Sequence, residues 1–169
     1  MKYFAGIDVG NTGGIAVLDE YSELVAYTRM PIIKVGKKHE VDVFKVTDFL
    51  GKIPYGDSSE LAITIEDVHA MPHQGVTSMF NFGKGYGLLL GLLQSMDFTV
   101  RRVSPRRWQK ELLLPKTDKD DNTKARANRT VLMAYPDLDK YLKVKRNQGV
   151  ADAILIASFG LQEYQLTFQ

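Results

Sequence analysis

The chain has 169 residues, of which 44% are hydrophobic, and it contains no cysteine. A chain of this length can bury one good core, so we expect a single domain over residues 1–169. The lack of cysteine excludes disulfides, thiolate zinc sites and a cysteine nucleophile. No apolar run reaches the ~18 residues of a membrane span, so we expect a cytoplasmic protein without a membrane partner.

The predicted elements follow from apolar β-rich runs, helical spacing of apolar residues, and glycine or proline at the breaks. The first half begins with strands 3–9 and 13–19 around a turn, followed by a third strand 23–30, a polar loop 34–40 and a helix 41–50 ended by Gly51. A turn 54–59 then leads to a fourth strand 61–68, a loop 71–76 and a helix from 77 to about 96. The rest of the chain has a fifth strand 99–103, a helix begun by Ser104 and Pro105, a charged loop 116–122 expected to be mobile, and helices 123–135 and 149–164. This order predicts an α/β protein with a mixed five-stranded sheet flanked by helices.

The net charge of +2 is unevenly distributed. Residues 101–146, here called the basic segment, contain 14 Lys or Arg and 6 Asp or Glu, a net charge of +8, and the remainder has a net charge of −6. A basic segment beside an acidic remainder suits a protein that holds a polyanion with one surface and metal ions with another. The alternative is an ordinary solvated helical face.

Three carboxylates that are far apart in the sequence stand where they could meet. Asp8 and Glu66 end two apolar strands, and Asp152 lies near the start of the last helix. Neighbouring strand ends share one crevice in an α/β sheet, and acids gathered there repel one another unless cations neutralise them. Carboxylate oxygens suit Mg2+ or Mn2+, and carboxylate-held metal pairs drive phosphoryl transfer. The pattern therefore indicates a metal-dependent nuclease.

The motif around Asp8, IDVGNTGG, is compatible with two functions. Glycines after a strand-ending acid let a phosphate or a metal approach the backbone closely. The motif resembles the phosphate loop of actin-like kinases, type III pantothenate kinases in particular, and also the first strand of RNase H-like nucleases. The kinase interpretation requires a second phosphate loop and a glycine-rich adenosine site, and this short chain has neither. An ordinary turn between two strands remains a third interpretation.

A longer set of motifs favours the nuclease. LAITIEDVHAMPHQG, then VSPRRW, a helix-opening Lys124 and the terminal ADAILIA follow one another in order over nearly the whole chain. Together they resemble the RuvC family of Holliday-junction resolvases, and most of all its bacteriophage branch. The resemblance implies an RNase H-like fold, a homodimer, and Mg2+-dependent incision of Holliday junctions, forks, flaps and other branched DNA in the cytoplasm of a bacterium or a phage-infected host.

The resemblance also implies roles for individual residues. Asp8, Glu66 and Asp152 fall on three of the family's four catalytic acids, and they would hold two Mg2+ or Mn2+ ions per active site. Asp8 would bridge the ions, with Glu66 on one and Asp152 on the other. Lys124 matches a lysine near the family's active site and could contact the scissile phosphate. His69 stands where the family carries an aromatic wedge, and it could still stack on a base.

The family's fourth acid is replaced here. It normally lies about one helical turn before the last acid, where this sequence has Gly149. A carbonyl oxygen of Asn147 or Gln148, or a water molecule, could take its place. Asp67 is a poorer substitute because adjacent strand residues face opposite sides of a sheet. If the neutral residue limits metal affinity, an acid at position 149 should strengthen metal binding.

Further residues are assigned to DNA and to a partner subunit. His73 could pair with His69 on a metal, but the spacing in this loop is a weak signal. Trp108 is expected to be a core residue of an amphipathic helix. The side chains expected to contact DNA phosphates are Arg101, Arg102, Arg106, Arg107, Lys110, Lys116, Lys119, Lys124, Arg126 and Arg129.

Gly83, Gly87 and Gly91 recur every fourth residue and leave one helix face without side chains. Glycine costs a helix roughly 1 kcal/mol relative to alanine, so a packing reason is expected. In the resembling family this helix lies at the dimer interface, and the alternative is packing against the protomer's own sheet. For function, the alternatives that stay open are a branched-DNA binding protein with weak or absent cleavage, and a small-molecule kinase of the actin-like fold.

Overall fold

The computed structural model describes residues 1–56, 60–69, 75–119 and 121–167. Its strands are β1 Lys2–Asp8, β2 Gly14–Asp19, β3 Leu24–Arg29, β4 Ile32–Val35, β5 Lys38–Val41, β6 Glu60–Glu66 and β7 Val100–Val103. Its helices are α1 Val43–Leu50, α2 Val76–Ser95, α3 Pro105–Leu112, α4 Thr123–Ala134, α5 Asp139–Leu142 and α6 Gly149–Thr167, with 3-10 turns at Pro136–Leu138 and Lys145–Asn147. Parts of the expected turn 54–59 and loop 71–76, including His73, lie outside the described residues.

The main sheet has five strands in the order β3-β2-β1-β6-β7. The first three strands of the chain form an antiparallel meander, and β6 then pairs with β1, and β7 with β6, as parallel strands. The prediction of a mixed five-stranded sheet flanked by helices is therefore confirmed. None of the helices in the described ranges is long and apolar enough to span a membrane.

The two faces of the sheet are covered by different helices, and side-chain alternation along β1 decides which residue meets which. Tyr3 and Ile7 point into a core completed by α1 and α2. Phe4 points the other way and packs its ring 5.2 Å from that of Tyr164 on α6. Gly6 shares the α6 face, and a Cβ there would overlap the backbone of Ala153. The even-numbered residues of β1 therefore face α6.

The expected polar loop 34–40 is wrong, because β4 and β5 form a separate two-stranded hairpin there. Gly36 has φ +61° at the first central position of the turn, and Lys37 follows it. A glycine at that position is what a type II′ turn requires, and this turn matches the twist of its flanking strands. The Gly-Lys pair between IIKV and KHEV was therefore a hairpin signal that the polar composition concealed.

The expected helix 41–50 begins two residues later than predicted. Val41 ends β5, and Asp42 caps α1 by accepting a hydrogen bond from the backbone N–H of Lys45 at 3.2 Å. Ser104 does precede α3, but its side chain makes no capping bond. The short elements between α4 and α6 were not predicted, because each is too short to show a periodic pattern.

The charged loop 116–122, expected to be mobile, is tied to α4 in its described part. Asp121 accepts hydrogen bonds from the backbone N–H of Thr117 at 2.9 Å and from the Arg129 guanidinium at 2.8 Å. Arg126 donates to the backbone oxygen of Leu114 at 2.8 Å. Arg126 and Arg129, expected at DNA phosphates, are thus engaged within the chain.

Candidate active site

Asp8 and Glu66 lie side by side because of the register between β1 and β6 and the alternation of side chains along each strand. β1 and β6 are parallel and pair Ile7 with Ile65, so the next residue of each strand ends it at the same edge of the sheet. Ile7 and Ile65 belong to the core that α1 and α2 complete. The two acids, one position further on, therefore face the opposite side of the sheet, where α6 lies.

Asp152 reaches the same place from α6, and Lys124 reaches it from α4. Asp152 lies in the first turn of α6, whose N-terminal end packs on the β1–β2 turn. Lys124 is held at the start of α4, where Asn122 caps the helix by accepting a hydrogen bond from the N–H of Ala125 at 3.0 Å. The Lys124 ammonium stands 3.8 Å from Asp152 Oδ2. The structure thus gathers the expected residues of the site.

The three carboxylates are mostly buried, each with a small exposed fraction, and they repel one another. Burial raises the pKa of Asp8 to about 6, against a 3.4 Å hydrogen bond from the Gly10 N–H and the charge of Lys124. Burial and then the charge of Asp8 raise the pKa of Glu66 to about 7. Burial, the charge of Asp8 and the charge of Glu66 raise the pKa of Asp152 to about 7, although Lys124 opposes the shift. The single positive charge of Lys124 therefore does not offset the burial and mutual repulsion of the three acids.

The chemistry of these donors fits a divalent cation. Asp152 Oδ1 is fully buried and accepts no hydrogen bond from any residue that the structure describes. Three buried carboxylates with raised pKa values are oxygen ligands of the kind that Mg2+ and Mn2+ prefer. No group of three or more His, Asp or Glu side chains in the described ranges is arranged ready to hold an ion. The site thus has the right donors without a closed cage.

Trp108 contributes to the site as well as to the core. Its side chain is 1% exposed, as the sequence predicted, and its indole Nε1–H donates a 2.9 Å hydrogen bond to Glu66 Oε1. This bond works against the raised pKa of Glu66. The sequence analysis missed this contact, although a buried indole N–H generally has to find an acceptor.

Gly149 is required by packing and is not a vacant ligand position. A Cβ at this residue would overlap the backbone oxygen of Thr12 and lie 2.5 Å from Cα of Gly13. The premise that an acid could be restored here is therefore wrong. Asn147 donates its side-chain amide N–H to the Tyr141 backbone oxygen at 2.8 Å.

Asp67 and His69 lie beside the site, with partners of their own. Asp67 accepts a 3.0 Å hydrogen bond from the Tyr86 hydroxyl and stands 3.6 Å from His69 Nε2. His69 has 76% of its side chain exposed, so its surface is open to a base. These contacts agree with the expectation that Asp67 is a poor fourth ligand.

The basic side chains expected at DNA are exposed, but several have acidic partners. The guanidinium groups of Arg101 and Arg107 both form ion pairs with the Glu163 carboxylate, with N–O distances of 3.0 and 2.9 Å. Arg107 also stands 3.5 Å from Glu111. The exposed residues for which the structure shows no ion pair with a described acid are Arg102, Arg106, Lys110, Lys116 and Lys119. Their role at DNA stays a prediction.

The face of α2 that carries Gly83, Gly87 and Gly91 is open. A Cβ at any of the three would have no described atom within 4 Å. Packing of these glycines against the protomer's own sheet is therefore wrong for the part of the chain that the structure describes. Phe80 extends the same face and is 72% exposed.

No protein-family model matches the chain. The chain is 32% identical over 110 residues to the chloroplastic Holliday junction resolvase MOC1 of Chlamydomonas reinhardtii. The matched segment makes up 64% of this chain but only 12% of the length of MOC1. Among solved structures it resembles T. thermophilus RuvC in complex with a Holliday junction substrate, with a TM-score of 0.60, 16% identity, and coverage of 93% of this chain and 90% of that one. The chain therefore has the RNase H-like fold of RuvC. The resemblance to RuvC-type resolvases drawn from its motifs is confirmed, and its bacteriophage branch stays a prediction.

Proposed function

We propose that this protein is a metal-dependent endonuclease that cuts Holliday junctions and other branched DNA, in the cytoplasm of a bacterium or a phage-infected host. The observation that carries the proposal is the meeting of Asp8, Glu66 and Asp152 beside Lys124 on a RuvC-like sheet. The sequence likeness to a resolvase and the structural likeness to a junction-bound RuvC support branched DNA as the substrate.

The described side chains supply the groups that phosphodiester hydrolysis requires. Asp8, Glu66 and Asp152 would hold two Mg2+ or Mn2+ ions. Such ions would supply activation of a water nucleophile and neutralisation of the charge on the leaving 3′ oxygen. Lys124 stands next to Asp152 and can contact the scissile phosphate as negative charge develops on it. Trp108 fixes Glu66 by a hydrogen bond and keeps water from that side of the carboxylate.

The protein acts as a homodimer through the glycine face of α2. A four-way junction presents two strands related by a two-fold axis, so a symmetric dimer places one carboxylate cluster at each. The open Gly83–Gly87–Gly91 face next to exposed Phe80 supports this interface, because nothing described covers it within the protomer.

The decisive experiment incubates the protein with an end-labelled four-way junction and with linear duplex, in Mg2+, in Mn2+ and in chelator. We expect cutting of the junction only with a divalent ion. Asp8→Asn should bind the junction without cutting it, because it removes charge that holds metal and no contact to DNA. Asp67→Asn is the matched control. Asp67 follows Glu66 at the same edge of the sheet, but its carboxylate accepts a hydrogen bond from the Tyr86 hydroxyl. Full nicking by Asp8→Asn would refute the two-metal proposal.

A second candidate is a branched-DNA binding protein with weak or absent cleavage. Two observations favour it: position 149 has no room for the fourth carboxylate, and the described residues form no ready-made group of three ligands. Salt-sensitive binding to the junction, without cutting in either Mg2+ or Mn2+, would select this candidate over the nuclease.

A further inference from the structure

The β4–β5 hairpin carries unpaired positive charge in the otherwise acidic part of the chain. Lys34, Lys37 and Lys38 are exposed, and none of them has an ion pair with any residue that the structure describes. The hairpin's one acid, Glu40, is engaged by Lys84 of α2 at 2.7 Å. The exposed end of the hairpin is therefore positively charged.

The hairpin is fixed beside the candidate active site. Asn11, three residues after Asp8, donates its side-chain amide to the backbone oxygen of His39 at 3.3 Å. On the other side, β5 lies against α2, where a Cβ at Gly85 would be 3.4 Å from Val41 Cγ2. These contacts, with the Lys84–Glu40 pair, attach the hairpin both to the turn after Asp8 and to α2.

A groove of about 330 Å³ runs between the hairpin and α2. Its polar lining consists of side chains that can donate hydrogen bonds: Asn11, Lys38, His39, Ser78 and Asn81. The remaining described lining residues are Val9, Phe82 and Gly85, and Glu40, which lines an adjoining cavity, is paired with Lys84. Amide, hydroxyl and ammonium donors around such a groove suit the oxygens of a nucleic-acid backbone.

The basic segment offers less free charge than its composition indicates. The guanidinium groups of Arg101 and Arg107 share Glu163, and that of Arg129 is held by Asp121. An ammonium group that has no internal partner can release condensed counterions from DNA without first breaking an ion pair. The hairpin lysines meet this condition, and the hairpin that carries them is bonded to the turn that follows Asp8.

We propose that the β4–β5 hairpin and its groove bind the sugar–phosphate backbone of the DNA whose cleavage is proposed above, with Lys37 and Lys38 each contacting a phosphate. This inference rests on the proposed function, since it assigns a second contact to the same substrate. The lysines carry no sequence information and set the position of the DNA relative to Asp8.

The test compares Lys37→Gln/Lys38→Gln with the matched control Lys140→Gln/Lys145→Gln. The control removes the same charge from exposed lysines outside the predicted DNA contacts. Equilibrium binding of the labelled junction is measured in chelator over a salt series. We expect the hairpin variant to bind about 10-fold or more weakly, with a log K against log salt slope shallower by up to about 1.8. We expect the control to change binding by less than about 3-fold.

The other outcomes separate this inference from the proposed function. Salt-dependent binding by the parent that the hairpin variant retains in full would overturn the hairpin contact and leave the function standing. Equal weakening of both variants would also overturn it, because net charge alone would then explain the loss. A parent that does not bind the junction would overturn the proposed function itself. Circular dichroism confirms that both variants are folded, and Lys37→Glu/Lys38→Glu should enlarge the effect.

Discussion

Helices α2 and α6 both carry glycines, and the two sets serve opposite purposes. In α6, a Cβ at Gly149 would overlap Thr12 of the β1–β2 turn, and a Cβ at Gly160 would overlap Thr64 of β6. In α2, a Cβ at Gly87 would have nothing described within 4 Å. Glycine weakens a helix by the same amount in both places, so the compensation differs. In α6 it is close packing within the protomer, and in α2 the proposed dimer interface would supply it.

The comparison also separates the chemistry from the assembly. α6 is largely buried from Gly149 to Leu161 and brings Asp152 to Glu66 and Asp8 by lying directly on β1 and β2. α2 covers the opposite face of the sheet with Leu89 and Leu93 and leaves its glycines outward. Substitutions in α6 should therefore affect the fold and the site together, whereas those on the outer face of α2 should affect association alone.

The largest effect is expected for Gly149→Ala. The added Cβ meets backbone atoms of Thr12 and Gly13, which cannot rotate away, so overpacking should cost about 3 kcal/mol or more of the free energy of unfolding. Urea unfolding measures the cost. Gly83→Ala is the control and should stabilise the protein by up to about 1 kcal/mol. Equal stability of the two variants would remove the distinction between the helices.

The next effect is a pH dependence that α6 introduces by burying Asp152. The folded pKa values of Asp8, Glu66 and Asp152 are raised to about 6 to 7, above their unfolded values near 4. The contribution of these three acids to the free energy of unfolding is therefore fully present below about pH 4, and it is lost as the pH rises to about 7. We expect the thermal stability in chelator to fall across this range by an amount on the order of a few kcal/mol.

Two controls test the cause of that pH dependence. Added Mg2+ or Mn2+ should restore the stability lost near pH 7, because an ion that binds only the folded chain stabilises it. Asp152→Asn should flatten the profile in chelator. A profile that neither the ion nor the substitution alters would contradict the raised pKa values of the three acids.

A smaller effect is expected for Gly160→Ala. Here the added Cβ meets the side-chain hydroxyl of Thr64, which can rotate, so we expect a loss of about 1–2 kcal/mol in urea unfolding. Thr64→Ala in the same chain should recover much of that loss, whereas Thr64→Val should not. Full stability of Gly160→Ala alone would show that α6 sits further from the sheet than described.

The smallest effect on the fold is expected for Gly87→Leu. Its side chain enters open space, so circular dichroism and thermal unfolding should change little, but sedimentation should show a monomer in place of a dimer. Gly85→Leu is the counterpart on the same helix. It should press on Val41 and lower thermal stability without changing the association state. A Gly87→Leu protein that remains a folded dimer would place the interface elsewhere.

Much of the fold and of the candidate site could be predicted, because local pattern determines both. The apolar strands that end in Asp8 and Glu66 place those acids at one edge of the sheet. Because side chains alternate between the two faces along a strand, both acids face α6. What escaped prediction depends on contacts distant in sequence. The Trp108–Glu66 hydrogen bond joins residues 42 positions apart, and the exclusion of a side chain at Gly149 follows from a loop at Thr12. The β4–β5 hairpin escaped for a different reason, because its turn signal lies among charged residues.

The hydrogen bond from Trp108 gives the protein a built-in optical probe. Trp108 is the chain's one tryptophan, so its fluorescence reports on a single environment, and that environment includes a carboxylate of the candidate site. Protonation of Glu66, or the arrival of a cation at it, changes the acceptor of the indole N–H. The emission of the unmodified protein should therefore follow ion binding in real time, without a label and without DNA.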